Sequence, residues 1–453
     1  MKKILLTFGM ALVILNSYAQ TEEPKITELS LSEAIATGLD NNFSIKIEKQ
    51  NIDIATRNNS WGQAGLYPSL TFNLSQGLGR SEIGENPSAF AYGAFQSRNL
   101  QPSLALSWGL FNGFNVRITK ERLELLQQQS VGNATVVVET SIQGMVEAYY
   151  TVRLQEEQLR IFERSLLLSK DKYNYSKLKG ELGSAVTFDI LQDKSAYLTD
   201  SSNYVTQLFN VQSAKRNLNL LLGIDVETTY ELTDSLTVEV QQFTLDELYA
   251  RMVANNSNLK NQYINQEIFK RDIGIATAAM YPSVSLSLGA NKNFQVQNTT
   301  QATFRSGEPG RAGIESVNTN YNANFTLSFT IFNGGRIRRQ IENARVNEQI
   351  AAIRVDELKQ SLKNSLINTL EFYRLRARLY QIAIENRQTA EFNLTLGEDR
   401  YRNGTISSFD FRDLQLNYLR SALSELQTKY NLVESEVELM RLTGGILEEY
   451  ETE

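Results

Sequence analysis

The sequence of 453 residues contains no cysteine and no histidine. Without cysteine the chain cannot form disulfides, perform thiolate chemistry or carry the cysteine-linked lipid anchor of some exported proteins. Without histidine it lacks the commonest general acid or base and the commonest metal ligand. Because no nucleophile–base pair, metal-ligand cluster or phosphate-binding loop stands out either, the sequence predicts a protein that is not an enzyme and has no cofactor.

Proline and long apolar runs are also scarce. Six prolines in the whole chain leave no obvious flexible linker, which favours one elongated architecture over several ordinary domains. The apolar stretch at residues 4–15 is too short to cross a bilayer as a helix, and nothing downstream reaches the ~18–20 apolar residues of a transmembrane helix. The net charge of −6 argues against a nucleic-acid partner, which would need a basic stripe.

The N-terminus has the pattern of a secretory signal. Two lysines precede the apolar residues 4–15, and residues 17–19 (Ser-Tyr-Ala) give a small-x-small cleavage site. A buried N-terminal helix or a membrane anchor is the alternative. The pattern predicts a cleaved signal peptide over residues 1–19 and an exported mature chain that begins at Gln20.

The remainder of the chain repeats itself at two constant offsets. Seven residues recur 214 positions later: Leu31, Glu33, Asn41, Asn42, Tyr67, Pro68 and Ser69. Seven more recur 221 positions later: Phe111, Asn112, Gly113, Gly183, Phe188, Asp189 and Gly223. Such a long period indicates a duplicated domain-sized unit rather than a solenoid. It predicts a first repeat over 20–223, a linker over 224–242, a second repeat over 243–444 and a tail over 445–453.

Each repeat contains two segments in which large apolar residues alternate with small polar ones. They predict strands over about 69–79, 100–111, 283–294 and 321–332, each with its large apolar side chains on one face. One such segment is more often part of a soluble sandwich, but four in an exported chain favour lipid outside and water inside. The predicted lipid-facing residues are Leu104, Leu106, Trp108, Leu286, Leu327 and Phe329. The segments at about 80–99 and 295–320 are then expected to be extracellular loops.

Four strands cannot close a membrane barrel. The smallest membrane barrels have about eight strands, and an open sheet edge in lipid leaves backbone groups unpaired. If these strands lie in a membrane, the chain must oligomerise, giving eight strands as a dimer or twelve as a trimer.

Between the strands and the end of each repeat the pattern becomes helical. Proline-free, Leu/Gln/Glu/Lys-rich runs predict helices over about 114–180, 185–222, 335–402 and 407–442. The longest would measure about 100 Å at ~1.5 Å per residue, which argues against a compact helical bundle. Gly183 and Gly404 mark the reversals and are expected to supply unusual backbone angles. The last helix has apolar residues at alternating spacings of three and four, which is typical of a coiled coil.

The ordered and duplicated set of motifs resembles TolC-type outer-membrane efflux proteins over about residues 28–446. The resemblance implies an α+β membrane protein, a homotrimer in which each tandem-repeat protomer gives four strands to a twelve-stranded β-barrel. Its long antiparallel helices would form a periplasmic α-barrel. The hairpin ends at Gly183 and Gly404 would dock to a periplasmic adaptor protein and, through it, to an inner-membrane pump.

The resemblance also implies a periplasmic gate at the second hairpin end. Asp410 and Asp413 would form two acidic rings that narrow the pore, and Tyr401 would bond to Asp189 across the closed entrance. Ile406 stands where well-studied members of that family have a basic residue, so the network that holds the closed state is expected to be weaker or differently built. The alternative is that the three acids only favour helix starts through the helix dipole.

Three functions remain open from the sequence. The leading one is a passive outer-membrane conduit that exports small molecules such as drugs and toxic compounds. The same channel could instead serve type I protein secretion, because cargo is recognised by other components. A function of another class is an exported coiled-coil scaffold or adhesin, which would be soluble without detergent and would not conduct ions.

Overall fold

The computed structural model describes residues 27–184 and 186–450, and the duplication is visible element by element. The predicted signal peptide lies outside the described residues. The first repeat contains β1 (Thr27–Leu29), α1 (Leu31–Asn41), α2 (Phe43–Asn58), β2 (Ser69–Ile83), β3 (Ala91–Asn112), α3 (Asn115–Glu181) and α4 (Thr187–Leu222). The second contains β4 (Tyr230–Leu232), α5 (Leu245–Asn255), α6 (Ser257–Ala278), β5 (Ser283–Phe304), β6 (Ile314–Ser328), α7 (Arg336–Arg402) and α8 (Ser408–Thr443), and α9 (Ile446–Tyr450) follows.

One repeated asparagine joins the two ends of each repeat. Asn42 caps the start of α2, and its side-chain amide donates to the carbonyl of Leu221 near the end of α4 (2.7 Å). Asn256 caps α6 and donates in the same way to Leu442 near the end of α8 (3.1 Å). The recurrence at the 214-residue offset therefore reflects a fixed junction between short and long helices.

The described parts of the predicted linker and tail pack into the core. Within the 224–242 segment, β4 pairs in parallel with β1, and Leu236 is buried. Within the 445–453 segment, α9 packs on α3 and α8 with Ile446 fully buried. In both segments, apolar residues fill the region where the two repeats meet.

The long helices form two antiparallel hairpins. Helices α3 and α7 have 67 residues each, and α4 and α8 have 36 each. Helix α3 packs against α4, α7 packs against α8, and α3 also contacts α8, so the two hairpins are joined through α3 and α8. Within the described residues, no helix combines the length and the apolar composition needed to cross a membrane.

The four long strands form one antiparallel sheet in the order β2-β3-β5-β6. Residues paired across neighbouring strands project from the same face, so the register defines both faces. One face carries the large apolar residues Leu70, Phe72, Leu74, Leu104, Leu106, Trp108, Val284, Leu286, Leu288, Phe325 and Leu327. The opposite face carries small uncharged residues, among them Thr71, Asn73, Ser103, Ser107, Ser285, Ser287, Asn322, Asn324 and Thr326.

The strands end at positions other than those predicted. β2 continues to Ile83 and β3 begins at Ala91, while β5 continues to Phe304 and β6 begins at Ile314. Most of the predicted loops at 80–99 and 295–320 is therefore strand, because backbone pairing continues after the alternation of side chains has ended. At the other end, β6 stops at Ser328 opposite Ser283, where β5 begins after Pro282. Phe329, predicted to be a strand residue, thus lies just beyond the sheet and is exposed.

Candidate functional site

Both hairpins reverse through the same glycine turn. Gly183 and Gly404 each have φ of +72°, a left-handed conformation that residues with a Cβ rarely adopt. The residue after each glycine donates its amide back into the long helix, Ser184 to Lys179 (2.8 Å) and Thr405 to Arg400 (2.9 Å). The turns therefore close both hairpins in the same way and need glycine for their backbone angle.

Asp410 has a structural role at the start of α8. Its backbone amide donates to the hydroxyl of Ser407 (3.2 Å), and its carboxylate accepts from the Ser407 hydroxyl (2.7 Å) and amide (3.2 Å). These two residues form a capping box. The hydrogen bonds from Ser407, the side-chain one first, hold the pKa of Asp410 below its ordinary value, so this exposed carboxylate is charged at neutral pH.

The two other predicted acids differ from Asp410 and from each other. Asp189 lies in the first turn of α4 and is half-buried. Asp413 lies about one turn beyond Asp410, is exposed, and makes no hydrogen bond or ion pair with any described residue. Helix-start stabilisation thus accounts for Asp189 and Asp410, but it leaves Asp413 unexplained.

Tyr401 lies between the two hairpins. Its ring stacks on that of Phe411, with centroids 5.0 Å apart and planes 7° from parallel. Burial raises the pKa of Tyr401, and hydrogen bonds with Ser176 and Ser408 act in the opposite direction. The bond to Asp189 that the resemblance implied is not among the contacts of Tyr401 within the described part of the chain.

Beside Tyr401 lies a buried ion pair that the sequence analysis missed. Lys172 of α3 and Asp193 of α4 approach to 3.0 Å (Nζ to Oδ1), and their side chains are 3% and 1% exposed. Lys172 also donates to the carbonyl of Ser408 in α8 (2.6 Å), and Asp193 accepts from the hydroxyls of Ser176 and Ser408. Burial lowers the pKa of Lys172, and Asp193 opposes that shift. The pair joins the first hairpin to the start of α8.

A second buried pair lies two turns further along α4. Both terminal nitrogens of Arg412 donate to Asp200, at 2.7 and 2.8 Å, and the Asp200 side chain is 1% exposed. The hydroxyl of Ser165 in α3 also donates to Asp200 (3.2 Å). Bidentate arginine–carboxylate pairs of this kind are the stronger and more directional ones. The two pairs, Lys172–Asp193 and Arg412–Asp200, are called the hairpin latch below.

A sequence signal for the latch existed. Asp193, Asp200 and Gln207 are buried, seven residues apart, and buried Ala214 continues the series along α4. Seven-residue spacing places them on the seam that α4 presents to α3. Polar residues recurring at an apolar seam position thus indicate buried polar partners. Ile406 packs against the apolar cluster that contains Phe411.

Comparisons with known proteins agree with this architecture. The sequence model described as outer membrane efflux protein matches residues 34–224 and 248–445. A probable efflux pump outer membrane protein from Pseudomonas putida, TtgC, is 22% identical, over 92% of this chain and 83% of its own length. The Campylobacter jejuni CmeC outer membrane channel has a TM-score of 0.70 at 16% identity, covering 92% of this chain and 85% of that one. The open-state Neisseria gonorrhoeae MtrE outer membrane channel has a TM-score of 0.69 at 17% identity, covering 92% and 89%.

Proposed function

This chain belongs to the outer membrane efflux protein family, and from that premise we propose that it is the passive outer-membrane conduit through which an efflux system exports small molecules. The two-faced sheet is the observation that carries the proposal. One face is apolar and suits lipid, and the other is covered with uncharged hydroxyl and amide groups and suits a water-filled lumen. Exported cargo would cross the membrane along that second face.

The working unit is a homotrimer with a twelve-stranded barrel. The edge strands β2 and β6 run in opposite directions in one sheet, so β6 of one copy and β2 of the next would pair antiparallel like the other strands. Three copies closed in this way leave no open edge in lipid. Exposed apolar residues on α4 and α7 support packing between copies; they include Leu191, Leu198, Val205, Leu375, Leu379 and Ile382.

The hairpin latch holds the periplasmic end of the conduit closed. It fastens both helices of the first hairpin to α8 of the second, close to the turns at Gly183 and Gly404. Opening the end would require these buried pairs to separate. Around the trimer axis, three copies of the exposed Asp410 and Asp413 would give two rings of negative charge that attract cations.

The partners are a periplasmic adaptor, which would dock at the turns of Gly183 and Gly404, and an inner-membrane pump. The pump selects the cargo and supplies the energy, and this chain supplies only the passage. The name of the Pseudomonas putida relative, an efflux pump component, favours small-molecule export over protein secretion. The family match argues against the exported scaffold or adhesin considered from the sequence.

Reconstitution tests the proposal. The full chain, purified in detergent, should be trimeric by native mass spectrometry and should give discrete conductance steps in a planar lipid bilayer. Because the latch holds the periplasmic end closed, the steps are expected to be small. A chain that stays monomeric and soluble without detergent, and conducts no ions, would contradict the proposal.

A further inference from the structure

The two repeats have the same elements but different neighbours. Helix α6 of the second repeat packs on both α3 and α7, whereas its counterpart α2 packs on α3 and, within the described residues, not on α7. Helix α8 packs on α3 and α7, whereas its counterpart α4, within the same residues, packs on α3 and not on α7. On one side, the first repeat therefore lacks a neighbour that the second repeat has.

Equivalent residues show where that neighbour is missing. Ile268 of α6 is 4% exposed, but Ile54, which occupies the same position of α2, is 57% exposed. A helix α7 from another copy of this chain would cover Ile54 as α3 and α7 together cover Ile268. Such a contact joins different surfaces of the two copies, so it repeats from copy to copy and can close a ring.

Contacts within the chain predict which residues of α7 and α4 meet between copies. The hydroxyl of Thr151 in α3 donates to that of Tyr430 in α8 (3.0 Å). At the 221-residue offset, Thr151 corresponds to Phe372 of α7. At the same offset, Tyr430 corresponds to Phe209 of α4. Both phenylalanines are exposed in the single chain, so the equivalence places one unpartnered aromatic ring against another.

A contact at the other end of the helices gives the same result. Gly132 of α3 lies against the side chain of Asn261 in α6. The equivalent positions hold Ile353 of α7 and Ile47 of α2, and both isoleucines are exposed. This pair lies roughly 28 Å along α7 from Phe372. Two separate contacts inside the chain thus correspond to two exposed apolar pairs.

The hairpin latch has no charged counterpart between copies. The positions equivalent to its four residues hold Asn393, Leu414, Leu191 and Ser421. Separation of the latch lets water reach buried charges, which lowers its cost, but separation of an apolar contact exposes apolar surface to water. The two kinds of joint therefore respond differently to a force that opens the periplasmic end.

We propose that an apolar joint holds α7 of each copy to α2 and α4 of the next, with Phe372 on Phe209 and Ile353 on Ile47. It is called the between-copy joint, and it rests on the proposed trimeric conduit. The periplasmic end opens only at the latch inside each chain, because the between-copy joint stays closed. The second hairpin of one copy and the first hairpin of the next therefore move as one body.

Because the chain has no cysteine, introduced cysteine pairs test the contacts. Oxidation of the detergent-purified Phe209→Cys/Phe372→Cys variant should give covalent dimers and trimers on a denaturing gel. The control Phe209→Cys/Leu379→Cys moves one partner seven residues, about 10 Å along α7, to another exposed apolar position. A disulfide cannot span that extra distance, so the cross-linked product should fall about tenfold or more.

A second pair tests the far end of the joint independently. Ile47→Cys/Ile353→Cys should also form covalent dimers and trimers, and the control Ile47→Cys/Val346→Cys, again seven residues away at an exposed position, should not. If native mass spectrometry detects trimers but neither pair cross-links, or if the controls cross-link equally well, the between-copy joint is wrong and the conduit stands. A cross-linked trimer that never conducts refutes the conduit and leaves the joint.

Conductance tests whether the between-copy joint stays closed. The Phe209→Cys/Phe372→Cys pair is combined with Arg412→Gln, which removes one cation of the latch. Oxidised and reduced forms of this combined variant should give conductance steps of equal size, because the cross-link lies in a joint that does not move. Steps that become smaller on oxidation and recover on reduction would show that the between-copy joint opens too.

Discussion

At the residue scale, the latch places four charges out of water at the joint between two hairpins. Asp193 and Asp200 are each 1% exposed, so each carboxylate depends on its cation and on nearby hydroxyls. A buried ion pair adds little net stability, but removal of one partner leaves the other charge unpaired at a cost of ~3–5 kcal/mol. Such pairs are suited to a joint with two states, because they define one geometry closely and resist intermediate ones.

Arg412→Gln tests the latch. The substitution leaves the Asp200 carboxylate buried without its counter-ion. Because separation of the hairpins would let water reach that carboxylate, the open state is favoured. We therefore expect larger conductance steps in planar bilayers than the wild type gives. The control Arg420→Gln changes an exposed arginine of the same helix that has no ion pair with a described residue and should behave as wild type. Adding Asp200→Asn to Arg412→Gln should restore small steps. Unchanged conductance steps in Arg412→Gln alone would show that the latch does not hold the periplasmic end closed.

Asp410 and Asp413 can be separated by their different local roles. Removal of either charge, as Asp410→Ala or Asp413→Ala, should raise the concentration of a trivalent cation needed for half-block on the order of tenfold, because three like charges are lost around the axis. Asp410→Ala should also lower the melting temperature, since it breaks the capping box with Ser407, at a cost of about 1 kcal/mol. Asp413→Ala should leave the melting temperature unchanged. Unchanged block in both variants would leave Asp410 with its capping role alone.

Some residues of this site could be predicted from the sequence, and others could not. Gly183 and Gly404 follow from local backbone chemistry and have the positive φ expected of them. The partners of Tyr401 depend on how two hairpins separated by more than 200 residues pack together, and local patterns carry no information on that packing. Asp193 and Asp200 did leave a signal in their seven-residue spacing, but their cations, Lys172 and Arg412, are on other helices.

At the element scale, the strands show how far alternation of side chains can be used. It correctly separates the two faces near Leu104 and Leu286, where large and small residues alternate strictly. It fails at the strand ends, where large apolar and small polar residues no longer alternate strictly while backbone hydrogen bonds continue the sheet. The 67-residue length of α3 and α7 follows from the absence of proline and from the turn glycines, which are local signals.

Neighbouring residues on opposite faces of one strand provide a matched test of the face assignment. Leu106→Lys or Leu286→Lys would put a charge towards lipid at a cost of ~2–4 kcal/mol, so the amount of assembled protein in the outer-membrane fraction should fall sharply. Ser107→Lys and Ser287→Lys put the same charge on the uncharged face and should assemble normally. If the leucine variants assemble and the serine variants do not, the two faces have been assigned backwards.

At the scale of the whole molecule, one chain has surfaces that it cannot satisfy alone. Within residues 27–184 and 186–450, no strand pairs with either edge of its sheet. Its helices also expose apolar residues at regular spacings, such as Leu191, Leu198 and Val205 along α4. On α7, Leu375, Leu379 and Ile382 are exposed at spacings of four and three. Both patterns are typical of helix–helix seams. Trimer formation would bury the sheet edges and the helix seams together. Assembly of the β-barrel and assembly of the periplasmic α-barrel should therefore depend on each other.

Leu198→Glu tests that dependence far from the sheet. A glutamate in the seam between copies would lose the ~1.5–3 kcal/mol of a buried leucine at each of three interfaces and would desolvate a charge. Native mass spectrometry should therefore detect mainly monomer, and bilayer recordings should show no conductance, although every strand is unchanged. Thr199→Glu introduces the same charge at the next exposed position, about 100° around α4, and should remain trimeric. A trimeric, conducting Leu198→Glu variant would mean that the sheet edges alone assemble the oligomer and that the exposed seams of α4 and α7 have another partner.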